Sequence, residues 1–283
     1  MKIRVYSDLH LDWFFADGIS FNPVTRQMNI WRPPELPDDK DTVLVLAGDL
    51  WVGSKWIKWA DYSWIKEVAP RFKEVIVVLG NHDYWPQGGL TIRAAGDKLN
   101  AMLQDHGVFN VHVLDMSTKE IDGVLFVGAT LWTDMDKGDP SVMYMMPRYM
   151  RYDGSISYET GPDGKWIRFT SEKWVSTHKG HRDYIKHVLA QNQDKKVVVV
   201  THHVPLLTLG DPLYLSKDSN AYYMSDLSDI IMDNDNLKLW AYGHTHYQKV
   251  SELAGTKLVN NSVGYTSEHH EQEGNVKHEV IEV

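Results

Sequence analysis

Five short stretches of the chain hold residues that bind metals and move protons. Asp8-Leu9-His10 places a carboxylate and an imidazole two residues apart, a spacing that in extended backbone turns both to one side, where one cation can take both. In Gly48-Asp49 the glycine permits close backbone approach, and the carboxylate has two oxygens able to bridge two cations. Gly80-Asn81-His82-Asp83 offers a neutral oxygen, an imidazole and a second carboxylate. His202-His203 supplies two adjacent imidazoles, either of which can be a ligand, and Gly243-His244-Thr245-His246 supplies two more. Taken singly these are ordinary features: a surface Asp-x-His pair, a Gly-Asp turn, a chance His-x-His. Their common placement is the signal, because each directly follows an apolar run.

Those runs are Ile3 to Tyr6, Thr42 to Ala47, Glu74 to Leu79, Lys196 to Val200 and Leu237 to Tyr242, and their β-branched content reads as buried strands. Between them, Lys55 to Glu67, Thr91 to Gln104, Ser171 to Gln191 and Ser225 to Met232 read as helices, so strands and helices alternate as in α/β proteins. Open α/β sheets bind ligands at the carboxyl ends of their strands, where all five motifs sit. From Lys249 to Val283, short strand-like pieces broken by Gly255, Gly264 and Gly274 suggest an antiparallel finish to a sheet. Asp12 to Asp41 and Thr133 to Arg168 are rich in Pro and Gly and fit no regular element. Both read as excursions that wall a site, within a single domain spanning 1–283.

Composition removes several classes of function. The chain has no cysteine, so any metal must be held by His, Asp, Glu, Asn or backbone oxygen. Lys and Arg number 29 against 38 Asp and Glu, a net charge of −9, which argues against a nucleic-acid partner bound through many phosphates. No run approaches the roughly 20 apolar residues of a membrane span, and Met1 to Val5 leads straight into a polar motif, so a cytoplasmic protein without a membrane partner is expected. Of the remaining histidines, His106, His112, His178, His181, His187, His269, His270 and His278 lie in polar or helical stretches and read as solvated or capping. Trp51, Trp56, Trp59 and Trp64 lie in or beside a helical stretch and read as packing residues in preference to a base-stacking platform.

The motif set from Asp8 to His246 resembles the calcineurin-like metallophosphoesterase family, and Gly128 to Thr133 is similar to its bacterial and phage subgroup. The resemblance implies an α/β fold, a four-layer αββα sandwich of two mixed β-sheets flanked by helices. It implies two divalent metal ions (Mn, Fe or Zn) sharing Asp49, with Asp8, His10 and His246 on one and Asn81, His202 and His244 on the other. Thr201-His202-His203-Val204-Pro205 aligns with the family pattern when His202 is the ligand. His82 would lie over the substrate, with Asp83 orienting it. Where the protein phosphatase branch carries an arginine after Gly-Asp, this chain continues Leu50-Trp51-Val52-Gly53 and departs from that branch.

Two divalent ions set against Asp8, Asp49 and one hydroxide leave a cluster charge of about +1, which attracts a phosphate ester. The reaction implied is hydrolysis of phosphate mono- or diesters of a small molecule or nucleotide by in-line attack of the bridging hydroxide. His82 as an imidazolium would be the general acid, a role worth about 10²–10⁴ in rate. The competing classes are a scaffold that keeps the fold and metals without turnover, and a nuclease. A scaffold is recognised by lost ligands, and here every ligand position and His82 are filled. Met143, Met145, Met146, Met150, Tyr144, Tyr149, Tyr152, Arg148 and Arg151 mark the second excursion either as an adaptable substrate wall or as a packed flap.

Overall fold

The structure is a computed structural model that describes residues 1–12, 21–22, 27–28, 30–51, 62–85, 90–214, 217–265 and 277–283. Its strands in chain order are β1 (Lys2–Tyr6), β2 (Phe21–Asn22), β3 (Gln27–Met28), β4 (Thr42–Ala47), β5 (Glu74–Val78), β6 (Val111–Val113), β7 (Ser117–Ile121) and β8 (Val124–Ala129). They continue with β9 (Ser157–Thr160), β10 (Trp166–Arg168), β11 (Lys196–Thr201), β12 (Leu237–Tyr242), β13 (Lys249–Leu253), β14 (Thr256–Asn260) and β15 (Ile281–Glu282). The helices are α1 (Tyr62–Val68), α2 (Ala95–Asp105), α3 (Pro140–Tyr149), α4 (Ser171–Gln191) and α5 (Ser228–Met232).

Two mixed sheets result. One runs β15-β1-β4-β5-β6, parallel except for β15, and the other runs β13-β14-β12-β11-β8-β7, with β13 and β7 antiparallel to their neighbours. Side-chain alternation along each strand builds the layers. Val43, Val45 and Ala47 of β4 and Ile76 and Val78 of β5 meet Phe126, Val198, Val200 and Leu239 of the other sheet in a shared inner core. The alternate residues Leu44, Leu46, Val75 and Val77 face outward against Trp64, Val68, Leu99 and Leu103. Leu125, Val127, Val197 and Val199 do the same on the other side against Ile185, Leu189, Ile230 and Ile231. The central strands are buried on both faces, which is why they read as unbroken apolar runs. The four-layer αββα sandwich is therefore present.

Departures from the sequence reading have local causes. Thr133 to Arg168 is not structureless. Asp139 caps α3 by accepting from the amides of Ser141 and Val142, and Pro140 at the first helical position favours a helix start, while β9 and β10 form a hairpin. The described part of Asp12 to Asp41 does not wall the site. Residues 30–41 pack on the outer face of the first sheet, where Trp31 meets Tyr6 and its carbonyl accepts from Trp64 Nε1 at 2.7 Å. Trp51 and Trp64 are core residues, and Trp56 and Trp59 lie outside the described residues. Among the described residues, no helix is long and apolar enough to cross a membrane.

His178 and His181 are buried, against the expectation of solvated side chains. Both lie on the apolar stripe of α4 with Trp174, Ile185, Val188 and Leu189, and both serve the backbone just past β8. There Leu131 and Trp132 take positive φ values of 75° and 55° and cannot continue the sheet ladder. His181 Nδ1 accepts from Leu131 N at 3.1 Å, and His178 Nδ1 donates to Leu131 O at 3.2 Å, which satisfies backbone groups that burial would otherwise leave unpaired. Burial, then the neighbouring His178, lowers the pKa of His181 to about 3, and burial also lowers that of His178. Below pH about 6.5 the unfolded chain therefore binds protons that the folded chain refuses, and stability falls with falling pH by up to about 1.4 kcal/mol per unit and per histidine. Melting temperatures between pH 7 and 5 should fall less steeply for His181→Gln than for the natural chain; parallel slopes would remove His181 from this role.

Candidate active site

The five motifs leave their strands at one edge of the sandwich, and their loops are tied to one another through the backbone. Asp8 N donates to Gly48 O at 2.9 Å, His10 N to Asp49 O at 3.0 Å, and Gly243 N to His202 O at 2.9 Å. Asp8, His10, Asp49, His244 and His246 all have positive φ, between 42° and 73°. Asp8 and His10 thus reach the same region by left-handed turns and not by the extended backbone that their spacing suggests. Each such residue costs on the order of 1 kcal/mol or more, so the five together approach the net stability of a domain and must be held by tertiary contacts.

Those contacts can be named. Asp8 accepts from His244 N at 3.0 Å and from Ser262 Oγ at 2.8 Å. Asp49 Oδ1 accepts from His82 N at 2.9 Å. Among the described residues Asp83 makes no hydrogen bond to His82, against expectation: it accepts from the amides of Asp49 at 2.9 Å, Gly80 at 2.8 Å and Trp51 at 3.3 Å, while His82 Nδ1 is buried with no partner among them. Its short side chain reaches the adjacent backbone sooner than a neighbouring ring, so Asp83 sets the loop that carries Asp49. Gly80 is required by proximity, since a Cβ there would lie 2.1 Å from Asp49 Oδ1 and 2.6 Å from Asp49 N. Gly48 combines φ +92° with a Cβ position 2.3 Å from His202 Nδ1.

The resulting cluster is rich in lone pairs and poor in donors. His10 Nε2 lies 3.0 Å from His246 Nε2, which is 3.5 Å from Asp8 Oδ1. His202 Nδ1 donates to Ala47 O at 2.9 Å, so its Nε2 faces Asn81 Oδ1 at 3.1 Å, His244 Nδ1 at 3.2 Å and Asp49 Oδ2 at 3.4 Å. Asp49 Oδ2 also lies 3.9 Å from His10 Nε2 and from His82 Nε2, which puts it between the two halves. Among the described residues, His10 Nδ1 and His244 Nε2 are buried without hydrogen-bond partners. Burial opposes a charge on His202, yet Asp49 and Asp8 outweigh it and lift its pKa to about 9. Such a pocket calls for positive charge, and its imidazole and oxygen donors suit divalent transition metals. Among the described residues, three groups have ligand atoms close enough to share an ion: Asp8, His10 and His246; Asp49, His202 and His244; and His10, Asp49 and His82.

Of the adjacent pair, His202 carries the ring that faces this cluster. His203 turns away, its Nδ1 donating to Thr130 O at 3.2 Å. His82 stacks on Trp85 with centroids 3.5 Å apart, and its Nε2 lies 3.4 Å from Tyr265 Oη. Burial foremost lowers the His82 pKa to about 4, so in the free protein it is neutral at pH 7 and not the imidazolium expected from its type. Four further residues bear on the site without having stood out in the sequence. They are Ser262, Tyr265, Trp85 and Asp153, of which Asp153 accepts from Asn81 Nδ2 and from Trp85 Nε1. Ser262 and Tyr265 follow the short β14, Trp85 comes two residues after a recognised motif, and Asp153 lies in an excursion.

Two facing mixed sheets with a histidine and aspartate cluster at the carboxyl ends of their strands define a metallophosphoesterase architecture. The family model described as calcineurin-like phosphoesterase matches residues 1–248, and the chain belongs to that family, whose members imply divalent metal ions. It is 27% identical over 278 residues to the uncharacterized protein L509 of Acanthamoeba polyphaga mimivirus, covering 94% of this chain and 92% of that protein. Among solved structures it resembles the phosphopantetheinyl hydrolase PptH of Mycobacterium tuberculosis, with a TM-score of 0.65, 20% identity, and coverage of 98% and 93% of the two chains.

The proximity of Gly80 to Asp49 makes a direct test of how tightly the cluster is held. Gly80→Ala should cost about 1–3 kcal/mol in stability from overpacking. It should also lower metal-dependent turnover by about 10²-fold, because Asp49 must move by a sizeable fraction of an ångström. Unchanged turnover with an intact melting transition would show that the cluster tolerates displacement of Asp49.

Proposed function

We propose that this phosphoesterase uses two divalent cations and acts on small phosphodiesters in preference to monoesters. The observation that carries the reading is the donor-poor cluster around Asp49 Oδ2, lying at the junction of two cavities. Asp8, His10, His246 and Asp49 would hold one ion, and Asp49, Asn81, His202 and His244 the other. When bound, such a pair supplies Lewis acidity toward the phosphoryl oxygens and lowers the pKa of water between the ions. One cavity, of about 200 Å³, is bordered by His82, Trp85, Arg151 and Tyr152; the other, of about 390 Å³, by Tyr214, Lys217 and Asn220. Tyr223, His244, His246 and Tyr265 border both. A phosphate at their junction has room for a substituent on either side, and Arg151 and Lys217 place one cation in each limb. The second excursion thus forms a wall of the site through Tyr149, Met150, Arg151 and Tyr152.

Hydrolysis forms one P–O bond from water and breaks the ester P–O bond, and the departing oxygen needs a proton. His82 is placed to give it. Burial keeps its ring neutral in the free protein, and the negative charge of a bound phosphate ester shifts its proton affinity upward, the direction an acid role requires. Trp85 holds the ring by stacking, and Tyr265 Oη stands beside Nε2. The net charge of −9 favours small substrates over long nucleic acids.

Metal-stripped protein given Mn²⁺, Zn²⁺ or Fe²⁺ singly should regain turnover, faster on bis-p-nitrophenyl phosphate than on p-nitrophenyl phosphate. The reverse ratio would sink the diester preference, and two bound ions without turnover would favour a scaffold. His82→Ala should keep its metals and lose about 10²–10⁴ in rate on an alkyl phosphate ester, with a much smaller loss on a nitrophenyl ester, whose leaving group needs no proton. Full activity of His82→Ala on the alkyl ester would refute the acid role, and Asp49→Ala should lose both metal and turnover.

A further inference from the structure

Asp153 is an aspartate buried to 2% exposure in the second excursion, far in sequence from every motif of the cluster. Its carboxylate accepts from Asn81 Nδ2 at 3.1 Å and from Trp85 Nε1 at 2.6 Å, and among the described residues no cation pairs with it. Both donors belong to the segment that follows β5. The bond to Asn81 settles which way its amide points: with Nδ2 turned to Asp153, Oδ1 must face the cluster, where it lies 3.1 Å from His202 Nε2. The reversed amide would present two N–H groups to a cation and a carbonyl to a carboxylate, both repulsive. A carboxylate hydrogen-bonded to the far side of an amide also draws its N–H dipole outward and increases the negative charge on Oδ1. The bond to Trp85 fixes the indole on which His82 stacks.

We infer that Asp153 is a positioning residue of the active site, which orients and polarises Asn81 as a metal ligand and braces Trp85 beneath His82. The inference rests on the reading of Asn81 as a ligand. Asp153 acts through these two side chains, at the border of the smaller cavity. Its buried negative charge also offsets part of the positive charge of the loaded cluster, which supplies a reason for an aspartate where a neutral acceptor would satisfy the same donors. The segment that walls the site is thereby linked to the cluster through a carboxylate shared by the candidate ligand Asn81 and by Trp85, the support of the candidate acid, on which Tyr152 of the same segment also stacks with centroids 4.8 Å apart.

Calorimetric titration of metal-stripped protein with Mn²⁺ alone tests this. The natural chain should show two binding constants, and Asp153→Ala should weaken one of them by about 10–100-fold while leaving the other in place. Asp153→Asn keeps the volume and one acceptor, so it should fold and fall between the two. Asn81→Ala should weaken the same constant, and adding Asp153→Ala to it should cause little further loss, because the two residues act as one unit. Equal weakening of both constants, or additive losses in the double variant, would reduce Asp153 to a packing residue and overturn the inference. A natural chain that takes up no Mn²⁺ would overturn the metal reading itself, a result distinct from two intact constants in Asp153→Ala.

Discussion

The structure turns on one buried carboxylate. Asp49 is 1% exposed, holds one oxygen on the amide of His82 and points the other at the rings of His10, His82 and His202. A carboxylate in that position is costly unless positive charge is brought to it. Most of the surrounding imidazoles are poor sources: burial keeps His10 and His244 well below their ordinary pKa, while Asp49 and Asp8 raise that of His202. The glycines that let backbone close on Asp49, the left-handed turns that aim Asp8, His10, His244 and His246, and the amides gathered by Asp83 all follow from placing anionic and lone-pair donors around one point. Folding tolerates such a point because the strands beneath it are buried on both faces and hold the loops from below.

Much of this was legible in the sequence because two independent periodicities coincide. Continuous apolar runs mark strands covered on both sides, and ligand-type residues at the end of each run mark the edge where ligands bind. β4, α4 and β12 have the limits that the pattern suggests. What could not be read has physical causes. α3 is hidden by its own prolines, although Pro140 sits where a helix accepts one. β7 alternates half-buried and exposed residues at an edge and carries little apolar signal. The burial of His178 and His181 answers a need created by the backbone of Leu131 and Trp132, which nothing in the helix itself announces.

Three of the residues missed around the site share another property, which is that their roles exist only through a partner distant in sequence. Ser262 matters through Asp8, Tyr265 through His82, and Asp153 through Asn81 and Trp85. None has a type or spacing that would single it out. The candidate ligands are visible because each brings intrinsic chemistry to the end of a strand. Supporting residues bring only a hydrogen bond, and any of a hundred polar side chains offers one.

The floor of the site is made from the ends of strands in two sheets, while the wall bearing Arg151 and Tyr152 comes from one continuous stretch between β8 and α4. That separation gives the fold a modular economy. Exchanging the stretch would change which molecules are admitted while leaving the strand ends below in place. A transplanted wall inherits the obligation to set an acceptor where Asp153 now stands, and with it the core contacts that Met146, Met150, Ile156 and Phe169 make beneath it.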